Sequence, residues 1–193
     1  MTQHTPADSD AVRDSFVAAM SLIATGVTVV GAADGETRAA QTVSAMCSVS
    51  AEPPLLLVCV NKRSPLNQII ASSGRFCVSA LATQHDHVAD TFAGRPWPGK
   101  DRWDFTCGTW EDAGSGSPRL SDALASFDCD VWTVTEAGTH LVYLGAVKDV
   151  SMTGGDPLVY AGREYAVPNR VEPSSFPQYP DAHPANRFSP RMR

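Results

Sequence analysis

The stretch "QTVSAMCSVSAEPPLLLVCVNKRS", Gln41–Ser64, sets three surfaces in a row. Small and hydroxyl side chains come first, then an apolar run entered through Pro53-Pro54, then two cations and a serine. Leu55–Val60 is apolar at every position, which predicts a strand buried on both faces. It is far too short to cross a bilayer. Ser64-Pro65 reads as a helix cap followed by proline at the first helical position, with the helix running towards Ser72 and stopping at Gly74. A helix N-terminus presents unpaired backbone N–H groups and favours an anion. Lys62 and Arg63 add full charges and Ser64 a hydroxyl donor, so a phosphate-sized anion site is expected over 61–64. Upstream, Thr42, Ser44 and Ser48 sit among side chains small enough to let a flat heterocycle reach the backbone. Taken alone, a solvated basic turn and a Ser/Thr-rich strand connection are the simpler readings of these two loops.

The pattern outside this stretch is mostly short and extended. Asp8 or Ser9 is placed to cap a helix whose apolar positions Val12, Phe16, Ala19, Met20 and Ile23 form one face, ended by Thr25-Gly26. "VTVVGA" (27–32) reads as a strand, "ADGE" (33–36) as a hairpin turn, and 38–43 as the returning strand. Further strands are expected at 75–81, 126–137 and 140–152, with 156–167 closing the set; 84–94 reads as another short helix. Many strands with only three short helices predict a mainly antiparallel barrel rather than a doubly wound sheet. From Pro168 on, six prolines in 26 residues predict an extended tail or arm, leaving 1–167 as the folded domain.

Composition narrows the function. A chain of 193 residues with 43% hydrophobic and 19% charged residues is ordinary for one globular domain. Fifteen Lys+Arg against 21 Asp+Glu give a net charge of −6, a poor match for nucleic acid. The five cysteines show neither CxxC nor zinc-ligand spacing, and the first residues show no export signal, so a reducing, cytoplasmic setting is expected. His85 and His87 are two apart and face different sides of a helix, which argues against a shared metal. There is no G-x-G-x-x-G after the first strand, and "GSGSP" (114–118) is neither a phosphate loop nor a nucleophile elbow. His140 begins a strand after a glycine turn, and spacing alone does not separate a structural from a catalytic role. Trp97, Trp103 and Trp110 either cap a pocket or simply pack.

Read in order, the pieces resemble the flavin reductase family, the small reductase components of two-component flavin monooxygenases. The resemblance runs through "TGVTVV" (25–30), residues 42–64, "SGRFCVSAL" (73–81), "FAG" (92–94), "FDCDV" (127–131), "GTHLVYLGAV" (138–147) and "PLVY" (157–160), in register over roughly 12–165. It implies a homodimeric FMN-binding split β-barrel of Greek-key type. It also implies an enzyme that reduces FMN or FAD with NADH or NADPH and supplies a monooxygenase partner, without membrane or nucleic acid. By this resemblance Thr42, Val43, Ser44, Ala45 and Ser48 contact the isoalloxazine ring. Cys59 and Val60 lead into Asn61, Lys62, Arg63 and Ser64, which hold the phosphate. Phe92 and Ala93 approach the far end of the flavin. His140 matches the histidine that assists hydride transfer. Ser79 and Ala45-Met46 depart from the usual pattern, where asparagine and an aromatic residue are frequent, and leave the choice of FMN or FAD open. The alternative is a split barrel that carries or senses flavin or haem and reduces nothing.

Overall fold

The computed structural model describes residues 6–169. The proline-rich segment expected from 168 therefore falls, from residue 170 onward, outside the described residues. Helix α1 (Pro6–Ser21) and the short β1 (Thr25–Gly26) lead into β2 (Thr28–Asp34), β3 (Thr37–Val43), β4 (Met46–Ala51) and β5 (Pro54–Asn61). Then come α2 (Leu66–Ser73), β6 (Arg75–Ala80), α3 (Asp86–Phe92) and the small hairpin β7 (Trp110–Asp112) and β8 (Pro118–Leu120). The long pair β9 (Ala125–Ala137) and β10 (His140–Met152) precedes the hairpin β11 (Val159–Ala161) and β12 (Glu164–Ala166). The turn after β2 forms where Asp-Gly predicts it, with Gly35 at φ +60°.

Seven strands form one antiparallel sheet in the order β3-β2-β6-β9-β10-β5-β4. Its two edge strands, β3 and β4, are joined in the chain by Ser44-Ala45 alone. A link of two residues reaches roughly 10 Å at most, so the sheet must curl until its edges meet. No hydrogen-bonded pairing zips β3 to β4 among the described residues, and the barrel stays split along that seam. The mainly β split barrel predicted from the sequence is the fold observed.

Inside the barrel, Val30, Val58, Val60, Phe76, Val78 and Tyr143 pack against Leu66, Ile69 and Ile70 of α2. Burying Leu66 and Ile70 completely is worth roughly 1.5–3 kcal/mol each, which holds a helix too short to stand alone. A second cluster lies outside, where Val27, Val29 and Leu81 meet Val88, Ala89 and Phe92 around α3. Successive residues of β2 feed the two clusters alternately. The strand buried on both faces is thus β2, not the expected Leu55–Val60. In β5 only Leu56, Val58 and Val60 are buried, while Leu55, Leu57 and Cys59 stay half-buried. Both short helices pack near β2 and β3, so neither covers the outer side of β5.

Other expectations are corrected at the ends. Helix α1 begins at Pro6, upstream of the expected Asp8 or Ser9 cap, and ends at Ser21 rather than at Thr25-Gly26, which is β1. Its apolar face is largely uncovered, with Val12 and Phe16 more than 60% exposed, because nothing described in this chain packs on it. The segment 156–167 does close the set of strands, but as a hairpin, β11 and β12, that forms a separate small sheet with β1. The polar loop expected over 42–48 is only Ser44-Ala45, and Ser48 already lies in β4.

Candidate functional site

The turn Asn61–Ser64 is built by its own polar groups. Asn61 Oδ1 accepts from Arg63 N–H at 2.9 Å, an Asx turn, and Asn61 C=O accepts from Ser64 N–H at 2.9 Å. The Ser64 hydroxyl accepts from Leu66 N–H at 3.3 Å, as a cap does, and its own proton remains free to donate. Asn67, on the first turn of α2, donates to Asn61 C=O at 2.8 Å and to Ser64 C=O at 3.2 Å. Its Oδ1 in turn accepts from the buried Tyr143 hydroxyl at 3.0 Å. The cationic turn is therefore fastened to the barrel interior from below.

A cavity of about 810 Å³ opens beside this turn, within the size range of small-molecule sites. It extends along β3 from Thr37 to Thr42 and takes in Asn61, Arg63 and Ser64, with Phe92 and Ala93 on the α3 side. Its lining holds Arg38 and Arg63 and, among the described residues, no Asp or Glu, in a chain of net charge −6. Neither arginine has a carboxylate partner among the described residues. Lys62 is different: it pairs with Glu136 and lines an adjoining hollow with Gly138 and Thr139, which shares Asn61 and Arg63 with the main cavity. Thr42 is oriented by donating its hydroxyl proton to Ala89 C=O at 2.7 Å. Ser44 lies on a small cleft of about 160 Å³ next to Thr42, Ala93, Arg95, Tyr160 and Tyr165.

Of the remaining candidates, Val43 and Val60 are core residues, so only their backbone can face a ligand. Ala45 and Ser48 flank the seam on the β4 side and line none of these hollows. His140 pairs in register with Asn61, and Val142 with Cys59. Residues directly opposite in an antiparallel pair share a face, so His140, Asn61, Val142 and Cys59 lie together on the outer side of the barrel. His140 does not line the main cavity, and its Nδ1 lies 2.9 Å from the Thr139 hydroxyl. Burial, with a smaller contribution from nearby Cys47, pushes the Cys59 thiol up, which keeps it neutral.

Sequence reasoning missed several neighbours. Asn67 and Tyr143 carry no local motif, since their pairing spans 76 residues. Arg38 and Phe105 line the cavity through a cation–π contact, the guanidinium carbon 4.3 Å from the ring centroid. Tyr165 donates to Asp90 at 2.9 Å and Arg95 pairs with Asp90. Burial and then the Asp90 hydrogen bond hold the Tyr165 phenol well above its ordinary range. Ser79, the departure from the family pattern, is buried away from the cavity, accepting from Leu120 N–H and from the Ser126 hydroxyl. His85 is buried with Nδ1 accepting from Ala82 N–H, while His87 stands edge-on to Trp97.

Residues 20–168 match the family model described as "Flavin reductase like domain". A protein named FMN reductase (NADH) RutF, from Methylorubrum extorquens, is 39% identical over 177 residues, covering 91% of this chain and 83% of that one. BorF, the flavin reductase component of a bacterial two-component tryptophan halogenase, superposes with a TM-score of 0.70 at 33% identity, over 84% of this chain and all of the other. The NADH:FAD oxidoreductase SgcE6 of Streptomyces globisporus gives a TM-score of 0.70 at 29% identity, over 90% of this chain and 98% of that one. This chain belongs to the flavin reductase family.

Proposed function

We propose that the chain uses NADH or NADPH to reduce FMN or FAD and hands the reduced flavin to a monooxygenase partner. The observation that carries this reading is the cavity with two arginines and no carboxylate, set between the seam of the barrel and the capped turn before α2. A flavin fits that donor set: anionic at its phosphate, flat and apolar at its ring. Arg63 and the Ser64 hydroxyl would hold the phosphate, because the first N–H groups of α2 are already taken by the Ser64 hydroxyl, Ser64 C=O and Pro65 C=O. Ala93, backed by the buried Phe92, gives an apolar wall, and Thr42 with the backbone at Ser44-Ala45 would meet the polar edge of the ring. When bound, flavin and nicotinamide supply the hydride chemistry, and the protein binds and orients them.

His140 is assigned the role of positioning the nicotinamide or tuning the local charge from the outer face. An H140A variant that keeps the full hydride-transfer rate would remove that role. The same outer face, together with the exposed apolar side of α1, is where a second copy is proposed to sit, giving the homodimer. Five free thiols fit a reducing, cytoplasmic setting. No helix among the described residues is long and apolar enough to cross a membrane.

The position of His140 outside the cavity lining favours a second reading, a flavin carrier that reduces nothing. One experiment separates the two: oxidation of NADH and NADPH by purified protein with no flavin, FMN or FAD added. Multiple turnovers that depend on flavin are expected. Flavin binding without nicotinamide oxidation would overturn the reductase reading and leave the carrier.

A further inference from the structure

Ala93 and Trp103 both line the main cavity, and the nine residues between them, 94–102, line none of it. The chain therefore leaves the cavity wall and returns to it through a loop whose residues 97–102 are all exposed. Nine residues extend roughly 30 Å, so a loop tethered at both ends reaches about half that distance from the rim. The loop is held against α3 instead. Arg95 N–H donates to Asp90 C=O at 2.8 Å and Trp103 N–H to Thr91 C=O at 3.2 Å, which fixes its two feet. Between the feet, one carboxylate grips the span. Asp90 accepts from Trp97 Nε1–H at 3.3 Å and pairs with Arg95 at 3.5 Å, and the Trp97 ring stands edge-on to His87. Trp97 is 48% exposed and both polar contacts are long, so the grip is weak.

Both feet are built to turn. Gly94 has φ +78°, and Trp103 has φ +57°, a left-handed conformation that is costly for an aromatic residue and is kept here by the bond to Thr91. The loop carries Arg95, Lys100 and Arg102 against Asp101 alone, so it is positive in a chain of net charge −6. We infer that 94–102 is a lid, latched open on Asp90 in this structure, which swings on Gly94 and Trp103 to cover the cavity once an anionic ligand is bound. A ligand moves such an equilibrium only by favouring one state, and a phosphate-bearing flavin favours the state that brings the positive loop towards it. The closed lid keeps water from the hydride transfer, and its opening times the release of reduced flavin. This rests on the flavin reading above and adds to it a step that gates release.

The test compares the full chain with W97F and D90N, two changes that weaken the latch and nearly preserve side-chain size. Limited trypsin digestion reads the loop, because Lys100 and Arg102 are exposed cutting sites while Pro96 shields the bond after Arg95. With no ligand added, cutting at 100 and 102 is at least twofold faster in both variants than in the wild type. Saturating FMN slows the same cuts in all three proteins. Calorimetric titration shows FMN binding about 2- to 10-fold more tightly to W97F and D90N, because closing no longer has to break the latch. A merely structural loss would loosen the site instead. Cutting at 100 and 102 that FMN leaves unchanged in a protein it saturates would overturn the lid. So would FMN affinities in the two variants that fall or stay within twofold, or equal cutting of the three ligand-free proteins. Failure of the flavin reading shows separately, as a wild type that neither binds nor reduces any flavin, and the ligand-free digestion still decides the latch.

Discussion

The bond between Tyr143 and Asn67 links the barrel interior to the phosphate turn, and removing it should be visible in stability and in ligand choice at once. Both side chains are nearly buried, 3% and 9% exposed, and the hydroxyl donates to Asn67 Oδ1 at 3.0 Å. Tyr143→Phe leaves that Oδ1 without a donor and should cost about 1–3 kcal/mol. Asn67→Ala removes two further bonds, to Asn61 C=O and Ser64 C=O, and orphans the Tyr143 hydroxyl. The two carbonyls keep backbone donors, Ser64 N–H and Asn67 N–H, so this cost should stay near 2–4 kcal/mol. Each single change already breaks the shared bond, so the double variant should cost less than the sum, by roughly 0.5–1.5 kcal/mol. Urea unfolding of the four proteins at constant m reads this directly, and FMN and riboflavin titrations read the turn. FMN affinity should fall more than riboflavin affinity, because only FMN carries the phosphate. Additivity within about 0.3 kcal/mol, or equal losses for FMN and riboflavin, would refute the claim that this pair holds the turn.

Other outcomes follow from particular residues. Arg63→Ala should raise the FMN dissociation constant about tenfold or more by removing a charge-assisted contact, and Lys62→Ala much less, because Lys62 is already paired with Glu136; calorimetric titration of each variant reads both. Gly145→Ala would place a Cβ 2.5 Å from Phe76 Cζ and 3.0 Å from Cys129 Cβ, so overpacking should cost about 1–3 kcal/mol in urea unfolding. Burial first, then Asp128, pushes the Cys77 thiol up to about 12, and burial, then Cys77, does the same for Cys129. Both folded values exceed the unfolded one, so this stability is fully present below pH 9 and is lost as pH rises from there towards 12. Unfolding midpoints should therefore fall over that interval, less so in the C77A/C129A variant. At neutral pH the exposed Cys47 should react with a thiol reagent well before the buried Cys77, Cys107 and Cys129.

Local chemistry was readable from the chain. Asp34-Gly35 marks a turn, Ser64-Pro65 opens α2 and Gly74 closes it with φ +70° and an N–H bond to Ile70 C=O, because each depends on a few adjacent residues. The Asn61–Ser64 turn belongs to the same class, and its hydrogen bonds are local apart from Lys62 N–H, which donates to Thr139 C=O at 3.0 Å. Burial was less readable. Leu55–Val60 looks like a doubly buried strand because its outer side is apolar too, yet nothing described in this chain covers it. The same holds for the apolar stripe of α1. An apolar face states that something covers it, not what.

The alternation of strands and turns, the anion-favouring turn and the resemblance over 12–165 were determined by sequence alone, since they reside in short-range pattern and residue order. Only the tertiary structure decided that β3 and β4 meet as the two edges of one curled sheet, with the cavity opening along β3 beside that seam. It also decided that Tyr143 reaches Asn67, that Arg38 and Trp103 share a wall with Arg63, and that Lys62 turns away to Glu136. These partners lie tens of residues apart, and a side chain's neighbours across a barrel follow from strand order and register, which no short window of sequence contains.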